Sequence, residues 1–248
     1  MSDITAQSAT ELNHEETARF VVDLFQRLIL HHGLWYAEAK HQLGADRALP
    51  LLAKASQKSL AIQLKHLGEM FGFTVKDGIP SFLLDMDPAQ LRELKERMAK
   101  NWLVNDGVWF QTIEFAEGMN EAKRCNDSCW AQFSPAEAHS IKNFLGLAEG
   151  CGLEGLKQAL GFRLYESINS QSIVEEKAHS FVFQMNKCRV QDARKRKGLD
   201  DYPCKSAGLV EYAAFARSID SRIRTRCIGC PPDEHPEEWY CAWEFSLD

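Results

Sequence analysis

The chain has 248 residues, with 29 basic and 35 acidic side chains and a formal net charge of −6. Its hydrophobic fraction of 45 % excludes a disordered chain, and no apolar stretch of about 18 residues runs uninterrupted: Asp23, Gln26, Arg27, His31 and His32 break the best candidate, Phe20 to Trp35. The polar first thirteen residues hold no secretory signal, so eight cysteines point to a reducing cytoplasm and no membrane partner is expected.

Residues 1–13 read as a frayed tail. From His14 to Gly44, Phe20, Leu24, Leu28, Trp35 and Ala39 recur at helical steps, and Gly44 is a stop. A second helix covers Asp46 to Phe71, and Lys76-Asp77-Gly78-Ile79-Pro80 is turn chemistry. Asp87-Pro88 reads as an N-cap with a first-turn proline, opening a long helix through Trp102 and Trp109 that could break at Asn105-Asp106-Gly107. Ser134-Pro135-Ala136-Glu137 combines cap, proline and capping-box glutamate, and predicts a new helix start. Another helix is expected over Leu153 to Ile168.

The period then changes. Phe181, Phe183 and Met185 alternate with Val182, Gln184 and Asn186, then Ile223, Thr225 and Cys227 with Arg222, Arg224 and Arg226, and Trp239, Cys241, Trp243 and Phe245 with Tyr240, Ala242 and Glu244; a helix from Ser206 to Ile219 separates the first two strands. The expected fold is α+β: an N-terminal helical bundle over residues 14–170, followed by a small antiparallel sheet with a packed helix over residues 171–248. A faint echo runs through the helical part. Shifting residues 33–73 by 74 positions matches Gly33 with Gly107, Trp35 with Trp109, Gly44 with Gly118, Ala48 with Ala122 and Gly72 with Gly146, which raises an ancient duplication.

Cys188, Cys204, Cys227, Cys230 and Cys241, with His235 nearby, are the strongest chemical signal. Cys227-Ile-Gly-Cys230 has the two-residue gap of a zinc knuckle, and strand alternation brings Cys241 close, so these five are candidate zinc ligands. The alternatives are buried packing cysteines, or a reactive thiol in the positive field of Arg224, Arg226, Lys205 or His235. Cys125 and Cys129, one helical turn apart, read as helix packing. Residues 186–226 carry 11 basic and 5 acidic groups, between segments of net charge −6 on either side. That argues against a nucleic-acid partner and for a local anion site or an intramolecular charge match. The run from Arg194 to Lys197 is either that anion site or a solvated loop. His31, Trp35, Glu38 and Gln42 fall on one stripe, with His32 and Tyr36 beside it, and Asp106, Phe110, Glu114, Glu117 and Glu121 fall on another; together they would either build an acid/base pocket beside aromatics or form solvated faces.

The stretch CRVQDARKRKGLDDYPCKSAGLVEYAAFARSIDSRIRTRCIGCPPDEHPEEWYCAWEF resembles a bacterial and archaeal family of L-2-amino-thiazoline-4-carboxylic acid hydrolase-like proteins, as do HHGLWYAEAKHQLG, NDGVWFQTIEFAEG and FSPAEAHSIKNFLG. The matching positions are Cys188, Arg194, Cys204, Gly208, Glu211, Cys227, Cys230, Pro232, Asp233, His235 and Cys241. The resemblance implies a helical N-terminal region and a sheet part distantly similar to 4-vinyl-reductase-type small-molecule-binding domains, some of which hold zinc through cysteines. It also implies hydrolytic opening of a sulfur heterocycle. The resulting expectation is a cytosolic small-molecule-binding protein that hydrolyses an amidine- or thiazoline-type carboxylate. His32, Glu38, Glu114 and His235 are its candidate acid/base groups, and Trp35, Trp109, Arg194 and Arg226 its substrate contacts. The alternative is a ligand-sensing module without turnover, holding a structural metal or a thiol-redox pair.

Overall fold

The computed structural model describes residues 5–198 and 201–247. They form α1 (His14–Leu43), α2 (Ala45–Phe71), β1 (Val75–Lys76), β2 (Ile79–Pro80), α3 (Ser81–Leu84), α4 (Pro88–Glu117), α5 (Met119–Leu145), α6 (Gly152–Leu160), β3 (Ser170–Lys177), β4 (Ser180–Lys187), α7 (Arg189–Arg196), α8 (Lys205–Ile219), β5 (Arg224–Gly229) and β6 (Cys241–Ser246). The fold class is α+β, as expected. No described helix is long and apolar enough to cross a membrane. The chain divides into two compact units within α2, between Gln63 and Leu64.

The first unit is a pair of helices. Asn13 caps α1 through a reciprocal box, its Oδ1 accepting from the Glu16 amide at 3.0 Å while Glu16 Oε2 accepts from the Asn13 amide at 2.9 Å. Gly44, at φ +81°, turns the chain directly into α2. His32 Nε2 meets Ser56 Oγ at 3.0 Å, and the two residues are equidistant from Gly44, so the helices fold back on each other.

The second unit repeats this hairpin and adds the sheet. α1 and α4 both have 30 residues, and α2 and α5 both have 27. The 74-residue shift read from the sequence maps every boundary of one pair onto the other. Asn13 and Asp87 both close capping boxes, Gly44 and Gly118 both take positive φ, and Ala48 and Ala122 are 0 % and 1 % exposed. The echo is therefore a repeat of structure.

The four-stranded antiparallel sheet has the order β3-β4-β6-β5, with Phe181 opposite Phe245 and Phe183 opposite Trp243 on its central strands. Those rings, with Met185, pack against Tyr212, Phe215, Ala216 and Ile219 of α8, Ala138 and Ile141 of α5, and Leu156 and Leu160 of α6. Each large apolar side chain so buried contributes roughly 1.5–3 kcal/mol.

Four expectations change. α4 continues through Asn105-Asp106-Gly107, and α5 continues through Ser134-Pro135-Ala136-Glu137. Ser134 is fully buried, and Glu137 is held by Arg163 instead of closing a capping box. The helix expected to reach Ile168 ends at Leu160, where Gly161 takes over. The run from Arg194 to Arg196 is the last turn of α7, where cations complement the helix dipole, and not a loop. β3 was not anticipated: it is an edge strand with much of its length exposed, so it lacks an apolar alternation.

Candidate functional site

Four cysteines from separate elements line one small cavity in the second unit. Cys188 follows β4 as the N-cap of α7, Cys204 is the N-cap of α8, Cys230 follows β5, and Cys241 opens β6. The cavity has a volume of about 90 Å³, and Glu211, Tyr212, Tyr165 and Trp243 complete much of its wall. Gly208 is required here by close approach. A Cβ on it would lie 2.5 Å from Cζ2 of Trp243, so only glycine lets α8 come down onto the indole.

Cys204 and Cys230 are the closest pair, with sulfurs 3.4 Å apart. Gln191 is 1 % exposed, and its Nε2 donates to Cys204 Sγ at 3.6 Å. Three features therefore favour a thiolate at Cys204: the Cys230 thiol, the Gln191 amide and the N-terminal end of a 15-residue helix. The Cys204 pKa is lowered accordingly, the hydrogen bond with Cys230 outweighing burial, with the Lys123 charge assisting. Cys230 moves the other way, raised by its hydrogen bonds with Cys204 and Cys241 and by burial. Their shared hydrogen bond thus couples the two thiols and favours ionisation at Cys204 over Cys230. Cys188 is different: burial pushes its thiol up to about 12.

Next to the sulfurs lies a buried charge network. Arg163 Nε donates to Glu137 Oε2 at 2.9 Å, and its Nη2 lies 2.7 Å from Glu211 Oε1. Burial opposes the arginine charge, and the two carboxylates outweigh it, raising the Arg163 pKa. Glu211 has one strong cation for two acidic neighbours, Glu137 and Asp106. Burial, only partly offset by Arg163, lifts its pKa to about 7. Trp243 Nε1 is buried and finds no hydrogen-bond acceptor among the described residues.

A larger cavity of about 420 Å³ lies between α4 and α5, walled by Trp102, Trp109, Phe110, Trp130 and Phe133. It shares the wall residues Asp106, Asn126 and Trp130 with the sulfur-lined chamber, so the two are neighbours. Tyr202 stands at this junction. Its ring packs edge-on to Phe110 at 5.0 Å, and its hydroxyl donates to Asn126 Oδ1 at 3.0 Å and accepts from Lys123 Nζ at 3.1 Å. Gln191 clamps the Tyr202 backbone from both sides, accepting from its amide at 2.8 Å and donating to its carbonyl at 2.9 Å.

The structure brings Cys188, Cys204, Cys230 and Cys241 to the chamber, while Cys227 lies on β5 outside its wall. Among the described residues, no group of three or more His, Cys, Asp and Glu side chains is disposed to hold a metal ion. Trp109 lines the groove; Glu114, on the same helix, does not. His235 Nε2 lies 3.7 Å from Asp201, and its ring stacks on Trp239. Arg226 pairs with Glu244 at 2.8 Å, and Arg194 sits in the last turn of α7. His32, Trp35 and Glu38 line a separate groove of the first unit. The expected cationic field is differently built as well, because Lys205 is committed to Asp233 at 2.8 Å. Helix α8 and Lys123 supply it instead.

Sequence reasoning missed Glu137, Arg163, Gln191 and Tyr202. Their role depends on burial and long-range pairing, and no local spacing signals either. Asp106 was legible only as one member of an acidic stripe.

An α+β unit with a cysteine-lined chamber beside an aromatic groove is the class that fold and site define. Residues 84–247 match the model of a family of unknown function, DUF6125, and the chain belongs to that family. No curated protein and no solved structure matches it.

Proposed function

We propose that the chain is a cytosolic small-molecule-binding protein. It takes a flat aromatic or heterocyclic ligand in the α4–α5 groove and brings a small polar or electrophilic group of that ligand to the Cys204–Cys230 pair. The wall that the two cavities share, Asp106, Asn126 and Trp130, supports this reading. The outer groove has the size and apolar lining of a ligand site, and the inner chamber has room for a few heavy atoms. The unpartnered Trp243 Nε1 supplies a donor for a polar group there, since a buried donor left unpaired costs about 1–3 kcal/mol.

The lowered pKa of Cys204 favours a second reading, hydrolysis of a C–N bond in an amidine- or thiazoline-type carboxylate with the Cys204 thiolate as nucleophile. In that reading Cys204 Sγ bonds to the amidine carbon as the C=N electron pair moves to nitrogen, which takes the Cys230 proton. The adduct collapses by passing that proton to the amino group, re-forming C=N and breaking the C–N bond, so that ammonia leaves. Water then adds to the same carbon and the C–S bond to Cys204 breaks, leaving a C=O group; one water proton stays on the ring nitrogen, the other returns to Cys230, and the Cys204 thiolate is restored.

Tryptophan fluorescence titration with 2-aminothiazoline-4-carboxylate, indole-3-acetate and anilinonaphthalene sulfonate tests binding, and chromatography of the first mixture tests turnover. At least one probe should bind saturably to the wild-type protein and roughly tenfold more weakly, about 1.4 kcal/mol, to Trp109→Ala. No saturable binding, or equal binding by Trp109→Ala, would remove the groove as the site. Elemental analysis tests the zinc expected from the cysteine spacing: one equivalent of zinc lost in Cys204→Ser would replace the thiol pair with a metal centre.

A further inference from the structure

The repeat makes one region conspicuous. On α4 the seam facing inward contains Ala99, 1 % exposed, and Trp102, whose ring packs edge-on to Tyr165 at 5.0 Å. The 74-residue shift places Phe25 and Leu28 of α1 at those two positions, and they are 53 % and 52 % exposed. Val21, Leu24, Phe25, Leu28 and Trp35 all lie on this seam at three- and four-residue steps, and all are exposed. Two long helices with so little buried apolar surface do not sustain a fold by propensity alone.

Shape and charge along α1 say what covers the seam. Its C-terminal half borders a groove of about 610 Å³ between α1 and α2, walled by His32, Trp35, Tyr36, Leu51 and Leu52 among others. Its N-terminal half instead presents apolar side chains outward, Val21 and Leu24 among them. The first turn carries Glu15 and Glu16, and the last carries Lys40 and His41. One helix thus holds both the projection and the hollow, and both signs of charge, at opposite ends.

We propose that two copies of this chain pair through α1, antiparallel and centred on Leu28. In that register the second copy's Val21 and Leu24 enter the groove beside Trp35 and His32, and the reciprocal contact forms at the other end. Glu15 and Glu16 come opposite the second copy's His41 and Lys40. Leu28 faces its own counterpart on the two-fold axis, as a closed isologous dimer requires.

Sedimentation equilibrium of the full chain tests this, with far-UV circular dichroism as the folding control. The wild-type protein should be a dimer. Leu28→Glu and Leu28→Lys should each dissociate it, weakening association roughly hundredfold or more, because each sets like charges against each other. Mixing the two variants should restore a dimer, since the opposed charges then attract, and this recovery also shows that the single variants remain folded. A wild-type monomer at about 100 μM would overturn the proposal, as would a Leu28→Glu protein that stays dimeric. Failure of the mixture to reassociate would overturn the register centred on Leu28.

Discussion

At the scale of single residues, Cys204 owes its chemistry to three neighbours recruited from different parts of the chain. Gln191 comes from α7, Cys230 from beyond β5, and the helix end from α8 itself. Gly208 has one task in the same chamber, to let the Trp243 indole lie against α8. Gly208→Ala should therefore destabilise the protein by about 1–3 kcal/mol, read as a lower denaturant midpoint at unchanged m value, through overpacking. Glu211 contributes a pH dependence. Its folded pKa of about 7 lies above the ordinary 4.5, so between those pH values the folded state binds more protons than the unfolded chain. Its contribution is fully present below pH 4.5 and is lost as pH rises toward 7. Glu211→Gln should flatten that part of the stability–pH curve, measured by urea unfolding at fixed pH values; an unchanged slope would assign it to another group.

Elements were legible where local chemistry and tertiary packing agree. Asp87-Pro88 and Gly44 mark real ends because the cap and the left-handed glycine are satisfied on site. Ser134-Pro135-Ala136-Glu137 carries an equally good local signal, yet α5 runs through it. Packing against α8 and the Arg163 ion pair reward continuity more than a cap would. Ser134 Oγ is buried with no hydrogen-bond partner among the described residues. Ser134→Ala should thus leave thermal stability unchanged or raised, whereas loss of a true N-cap would cost about 1 kcal/mol. A different device starts α6. Asp220 accepts from the Gly152 amide at 2.9 Å, and Arg222 holds its carboxylate well below the usual range. Asp220→Asn should destabilise the fold by about 1–3 kcal/mol at neutral pH. The difference from wild type should shrink as acid protonates the native carboxylate, because a depressed pKa stabilises only above it.

For the whole molecule, composition and periodicity disclosed the α+β class, the helices α1, α2, α4 and α8 and the three strands with period-two alternation, whereas α7 and β3 were not anticipated. The repeat was visible in five matched residues, and the structure extends it to the caps and the lengths of both helix pairs. Of the five late cysteines that stand out by their density, Cys188, Cys204, Cys230 and Cys241 line one chamber and Cys227 does not. Which of them meet could not be read from Cys227-Ile-Gly-Cys230, because Cys204 reaches Cys230 only through the packing of α8 beside β5. The groove was still less legible, since its walls are aromatics at ordinary core spacing.

Alkylation by iodoacetamide at pH 7.5, mapped by mass spectrometry with and without a saturating groove ligand, tests most directly the proposal that the groove leads to the thiol chamber. Cys204 should label well ahead of Cys188 in the free protein, and an occupied groove should slow it at least tenfold. Equal labelling of Cys204 and Cys188, or a Cys204 rate indifferent to the ligand, would contradict a reactive thiol at the inner end of the groove.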